Sequence, residues 1–319
     1  MILKKLKTSD FWYSNLFYIL AIIFVIGFGI VNPKFLDGAN IANIFAQSSV
    51  LIIMSIGMAL ALITKGMDMS VGSTLFLCAA TMQILNKNFD IGMPEMMMIS
   101  IAVGLAAGAL NGFIVSMFNV YPLLPTLATM FAYKGIALII GGGGSATMPM
   151  FWSQIISARV GPVPIHVFIA IGIAIVVQLL LNNTKTGRHI YALGDSEKTS
   201  HEKGIDERKI KVLVYTLSGL MCGIAAIIFS AQSMSVPAST GSGMEFKCVI
   251  AATLGGVSMF GGKGTVAPGV IIGALIMSII SNVLVVSAAS AYIYTVVYGL
   301  VILFVVLLDT LKNKKMVNA

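Results

Sequence analysis

Apolar residues in this chain fall in blocks of roughly 16 to 22 positions, and inside the blocks they do not alternate with polar ones. A helix of about 20 residues, rising 1.5 Å per residue, crosses a hydrocarbon layer of ~30 Å, so such blocks predict membrane-spanning helices. A transmembrane barrel needs alternating segments of about 10 residues, which runs such as 16–31 and 212–231 do not supply. Six blocks precede the longest polar stretch: 16–31, 48–63, 71–85, 96–118, 123–140 and 165–181. Four follow it: 212–231, 247–260, 266–286 and 292–309. The shorter ones are expected to be tilted, broken or partly re-entrant. The expected fold is therefore all-α and polytopic, one transmembrane domain over 1–319 with about ten spans, or eight if the short blocks only dip into the bilayer. A polar loop at 182–211 interrupts it.

Charge adds an orientation. An even number of spans leaves both termini on one side, and that side should carry the lysines and arginines. Fifteen of the 20 do fall there: Lys4, Lys5, Lys7, Lys312, Lys314 and Lys315 at the ends, seven between 182 and 211, and Lys65 and Lys263 in short turns. Lys34, Lys87 and Arg159 lie opposite, with Lys134 and Lys247 in or beside spans. Both termini and the 182–211 loop are thus expected on the cytoplasmic side. No small-residue cleavage site follows the first block, so it reads as a retained span.

Composition narrows the class. With 58% hydrophobic and 10% charged residues, the chain lacks the polar surface of a soluble domain. The net charge of +8 is sorted by side of the membrane and not interleaved with aromatics, so nucleic acid is not indicated. Cys78, Cys222 and Cys248 lie in apolar runs without metal-like spacing and read as buried thiols.

Two motifs recur five spans apart. Gly104 and Gly108 with Ala109-Leu110 match Gly269 and Gly273 with Ala274-Leu275, the small-residue spacing that brings helices close. Gly66-Met67-Asp68 likewise resembles Gly243-Met244-Glu245. An odd offset reverses orientation, so spans 2–5 and 7–10 are expected to form an inverted repeat, an arrangement that places solute sites near the midplane.

Candidate chemistry centres on Asp68, in Gly66-Met-Asp-Met-Ser70-Val-Gly-Ser73. A carboxyl at membrane depth is kept for a partner or a pathway. Equally, Asp68 fits a turn in which it pairs with Lys65 or caps the next helix. Asn111, Lys134 and Glu245 face the same choice, and with Ser70 and Phe246 they complete the expected solute pathway. The run Gly255 to Thr265 lacks the Gly-Lys-Ser/Thr triplet of a phosphate loop, and no nucleophile motif accompanies His166, His189 and His201. The chain is expected to be no enzyme and to bind no cofactor or metal, with ATP and magnesium handled by a separate subunit. Within 182–211, a start signal at Asp195 or Ser196, acidic residues behind it and Gly204 beyond describe a short capped helix.

These motifs resemble the permease family of bacterial ATP-binding-cassette importers for ribose, xylose, galactose and autoinducer-type furanoses. The resemblance runs through Gly66 to Ser73, Asn111-Gly112, Thr126-Leu127 to Lys134-Gly135, Thr186 to Asp195, Gly204-Ile205, and Gly255-Gly256 to Gly264. It implies a second permease copy, identical or homologous, in the bacterial cytoplasmic membrane. Two cytoplasmic ATPases and an external sugar-binding protein are implied with it. It also implies that the helix around Asp195, Ser196, Thr199, Ser200, Gly204 and Ile205 seats in the ATPase. Thr199 and Ser200 replace the family's usual alanines, Glu202 replaces a leucine, and Lys247 replaces an aspartate, which leaves the solute open. The outer loop 141–164, with Phe151 and Trp152, suits either contact with the binding protein or an interfacial aromatic belt. Nucleoside or amino-acid permeases, or an ion-coupled secondary transporter, are the competing readings.

Overall fold

The computed structural model describes residues 27–30, 32–118, 120–141, 146–150, 152 and 158–317. Helix α1 (Gly38–Ile63) is the centre of the molecule, because from Ser48 onward it is apolar or small on every side. A helix without a polar face must be enclosed, and 89% of its most apolar window is buried. Its first turns extend beyond the expected 48–63 block, since Asn40 finds a partner: it and Asn282 exchange two amide hydrogen bonds of 2.9 Å.

Around α1 stand α2 (Val71–Phe89), α3 (Met93–Phe118), α4 (Leu123–Gly141) and α5 (Ile165–Asn183). The polar loop then forms α6 (Lys185–Asp195) and α7 (Glu197–Glu202), and α8 (Glu207–Ser233) re-enters the bundle. The chain closes with α9 (Met244–Leu254), a π-turn over Val266–Val270, α10 (Ile271–Val286) and α11 (Ala291–Val317). At the end remote from α6 and α7, strand β1 (Ala146–Thr147) pairs antiparallel with β4 (Ser235–Val236), and β2 (Arg159–Val160) with β3 (Val163–Pro164).

Among the described residues, seven helical stretches are long and apolar enough to cross a bilayer: α1, α3, α4, α5, α8, Val266–Val286 and Tyr292–Thr310. The protein is a multi-pass membrane protein. The first expected span lies mostly outside the described residues. The block 247–260, one of the short ones, is broken: its helix has 11 residues, about 16 Å, and stops at Gly255 before the chain turns at Gly256 with φ +88°. Two successive glycines release the backbone where a full crossing needs another three turns. By contrast only 6% of the apolar window of α11 is fully buried, and the helix meets the core through one side, at Tyr298, Val301, Ile302 and Val305.

The tightest helix pair is α3 on α8. A methyl at Gly108 would strike the Tyr215 carbonyl and the Gly219 backbone, one at Gly104 the Gly219 carbonyl, and the Ser100 hydroxyl donates to the Gly223 carbonyl at 2.8 Å. Gly269 and Gly273, which share that spacing, instead lie against Ala251 and Gly255 of α9 and the turn behind it. The two motifs thus pack on partners that are not counterparts. Cys78, Cys222 and Cys248 are buried free thiols.

Candidate functional site

The connection from α1 to α2 does not leave the bundle. Lys65 adopts φ +58°, the Gly66 amide returns to the Ala61 carbonyl at 2.8 Å, and Asp68 is carried inside, 2% exposed. One carboxylate oxygen of Asp68 accepts from the Ser70 amide at 3.0 Å and the Ser70 hydroxyl at 2.6 Å. The other accepts from the Ser218 hydroxyl at 2.8 Å. Asn111, on α3, donates to the Ser70 hydroxyl at 2.7 Å, and the Tyr133 hydroxyl of α4 lies 3.2 Å from the Asn111 amide oxygen. Ser218 stands about 16 Å along α8 from Glu207, so this network lies at the depth of the spanning helices.

That geometry shows what Asp68 touches. Lys65 does not pair with it; the ammonium instead donates to the Asp195 carbonyl at 2.9 Å. The Ser70 amide does bond it, as in a helix start, but the contact reaches further and ties the beginning of α2 to α8, α3 and α4. Asp68, Ser70 and Asn111 form one enclosed clamp.

Lys134, Glu245 and Phe246 form a second group near the start of α9. Gly241 and Gly243, with φ +74° and +78°, bend the chain inward there, and the Gly241 carbonyl touches Gly72 at the first turn of α2. Lys134 donates to the Ser242 hydroxyl at 3.2 Å, while Glu245 is buried with a carboxylate oxygen against Gly72. Phe246 points outward, 45% exposed. The two glutamate and aspartate motifs noted in sequence therefore meet across the Gly72–Gly241 contact, each beside the N-terminus of a helix.

A cleft of about 230 Å³ nearby escaped sequence reasoning; its polar lining is Gln47, Gln232, Lys247, Ser278 and Ser281. Lys247 lies 5.0 Å from the centre of the Tyr298 ring, whose hydroxyl is 3.1 Å from that of Ser281. The signal was present as single glutamines near the ends of apolar blocks, which no motif joined.

The polar loop folds as two helices. Thr184 caps α6 by accepting from the Gly187 amide at 3.0 Å, and Ser196 caps α7 by accepting from the Thr199 amide at 3.2 Å. The exit of α7 is a Schellman turn: the Gly204 amide bonds the His201 carbonyl at 2.9 Å, the Ile205 amide the Ser200 carbonyl at 3.0 Å, and Gly204 takes φ +74°. Asp206 then caps α8 through the Lys209 amide, and the Lys209 ammonium beside it at 3.0 Å holds the Asp206 carboxyl below the usual carboxylate range. Glu197 pairs with Lys211 at 2.9 Å. Thr199 is exposed, Ser200 is buried, and Gly204, Ile205 and Arg208 line a cleft of about 520 Å³. The short helix was legible from its caps. Helix α6 was not, although Gly187, Ile190, Leu193 and Gly194 are buried at helical spacing.

Trp152 differs from expectation. It is fully buried and its indole N–H meets the Met96 sulfur at 3.4 Å, so it is not displayed to a partner. An indole gains more from packing under the outer loop than a loop gains by exposing it. Phe151 lies outside the described residues.

Residues 40–306 match the sequence model of a family described as the permease component of the branched-chain amino acid transport system. The chain is 34% identical over 284 residues to the autoinducer 2 import system permease protein LsrC of Enterobacter sp. (strain 638), covering 88% of this chain and 81% of that protein. It is 35% identical over 291 residues to the ribose import permease protein RbsC of Escherichia coli (strain K12), covering 89% of each. A third relative, LsrC of Yersinia enterocolitica, is 31% identical over 323 residues, covering 96% of this chain and 86% of that protein. No solved structure matches.

Proposed function

This chain belongs to the permease-component family of ATP-binding-cassette importers, and from that premise we propose that it carries a monosaccharide or a related small polyol across the bacterial cytoplasmic membrane. The relatives' names support the solute class: ribose and autoinducer 2 recur in proteins that align with nearly the whole chain. The family description names branched-chain amino acids instead, so the competing solute is an amino acid.

The observation that carries the mechanism is α7, a six-residue helix capped at both ends, exposed on one side and seated on the bundle on the other. A rigid element of this kind passes rigid-body motion onward and is wasted on a slack linker. In this reading an ATPase subunit, which binds and hydrolyses ATP with magnesium, holds α7 through Thr199, Gly204 and Ile205. Its closure shifts α6 to α8 and alternates access to the solute. Two copies of the permease enclose the path, an external binding protein delivers the solute, and both termini share the cytoplasmic side with α7.

We further read α1–α4 and α8–α11 as an inverted repeat within about ten spans. Three pairs of contacts support it: α2 lies on α3 and α4 as α9 lies on α10 and α11, and α2 lies on α8 as α9 lies on α1. The solute then passes the Gly72–Gly241 contact, with Lys134, Phe246 and the Lys247 cleft on its outer approach and the Asp68, Ser70 and Asn111 clamp beneath.

The test is uptake in proteoliposomes containing the chain, its ATPase and its binding protein. Labelled ribose should enter only with ATP, leucine should not compete, and Ile205→Asp should leave the chain folded but stop uptake. Uptake driven by an ion gradient without the ATPase overturns the proposal.

A further inference from the structure

One corner of the contact between α6, α7 and the rest of the bundle is the Gly194–Asp195 junction, at the opposite end of α7 from Gly204. Three stretches of backbone meet there without side chains between them. The Gly262 amide donates to the Ile63 carbonyl at 2.8 Å. A methyl on Gly194 would fall on that same Ile63 carbonyl, and one on Gly262, at φ +70°, would lie 3.1 Å from the Asp195 backbone. Lys65 closes the corner by donating to the Asp195 carbonyl at 2.9 Å, and Tyr191 reaches the Gly264 carbonyl at 2.8 Å.

Two of these stretches lead directly into a broken segment, and the third, Gly194–Asp195, leads into α7. Three residues beyond Lys65 lies Asp68, whose carboxyl holds α2 to α8. The run Gly255 to Thr265 joins α9 to the turn before α10, and the Val266 amide is held by the Gln178 side chain at 2.6 Å. Side chains absorb displacement by changing rotamer, whereas close-packed backbone does not.

We infer that the Gly194 corner is the joint through which movement of α7 enters both broken segments, with Lys65 as a positioning residue that keeps the joint closed. The inference rests on the reading of α7 as the ATPase contact. Removing the joint leaves docking and hydrolysis in place but wastes the stroke.

The experiment compares Gly194→Ala, Lys65→Met, Lys65→Arg and Ile205→Asp in the full complex, reconstituted with its ATPase and binding protein. Three quantities are read: ATPase recovered with the permease, ATP hydrolysed, and ribose imported per ATP. Networks of this kind change coupling by about two- to thirtyfold, so Gly194→Ala and Lys65→Met should keep their ATPase and lose ribose per ATP by a factor in that range. Lys65→Arg, which still donates to the carbonyl, should retain the wild-type ratio. Lys65→Met decides alone if Gly194→Ala does not fold, because the Lys65 side chain is exposed. A wild-type ratio in Lys65→Met, loss of its ATPase, or failure of Lys65→Arg to restore the ratio overturns the joint. If Lys65→Met is normal while Ile205→Asp loses uptake, only the joint falls; if Ile205→Asp is also normal, the α7 reading falls with it.

Discussion

Replacing Asp68 with alanine should be among the most damaging single changes to this protein. The substitution strips the acceptor from three donors: the Ser70 amide, the Ser70 hydroxyl and the Ser218 hydroxyl. The Ser70 hydroxyl retains the Thr74 hydroxyl 3.4 Å away, so it has another acceptor. The Ser70 amide and Ser218 are left with nothing within the buried network. A buried donor without a partner costs about 1–3 kcal/mol, so the two together cost about 4 kcal/mol. Asp68→Asn is the matched control. Its amide oxygen still accepts from Ser70 and its amide nitrogen faces the Ser218 oxygen, so the cost should be about 1 kcal/mol. Both variants are to be unfolded reversibly in mixed micelles by raising the fraction of dodecyl sulfate, with helicity followed by circular dichroism. An alanine variant within about 1 kcal/mol of wild type, or an asparagine variant as weak as alanine, would refute the clamp. A stable asparagine variant that imports no solute would shift Asp68 back to the pathway.

Two further outcomes follow from the packing and the caps. Gly108→Leu must push α3 off the Tyr215 and Gly219 backbone, an overpacking expected to cost about 3 kcal/mol or more, read as lost monodisperse protein on gel filtration in detergent; Ile136→Leu on the exposed face of α4 should change nothing. Asp206 has its carboxyl pKa lowered by Lys209. Its contribution to the first turn of α8 should be complete above the ordinary carboxylate value of about 3.9 and fade as pH falls through the lower folded value. Faster hydrogen exchange at the Lys209 amide in acid, absent in Asp206→Asn, is the expected signature.

Hydropathy located the spans because lipid and protein interior both select apolar residues, and for the same reason it could not say which spans face which. Helices α1 and α11 read alike in sequence, yet one is enclosed on every side and the other is covered on one side. The short helix α7 was readable because caps are local: Ser196, Gly204 and their neighbours satisfy one another. Asp68 was ambiguous because its partners are Ser218, 150 residues away, and Asn111 through Ser70, and no local pattern contains them. The truncation of α9 was marked by Gly255-Gly256, but glycine in membrane helices also serves close packing, as at Gly104 and Gly108. Trp152 was misjudged because loop aromatics are read as exposed, whereas the indole had a pocket against Met96.

The enclosure of α1 has a consequence for biogenesis. Synthesis delivers this helix before nearly everything that will surround it, since α8, α9 and α10 come from the last third or so of the chain and Asn282 lies 242 positions beyond Asn40. Until then the future core must wait as an ordinary lipid-facing segment with the Asn40 amide oxygen unmatched. A ribosome that stalls before α8 therefore leaves the membrane with a seed whose shell never arrives, and that orphan is what a quality-control protease would meet.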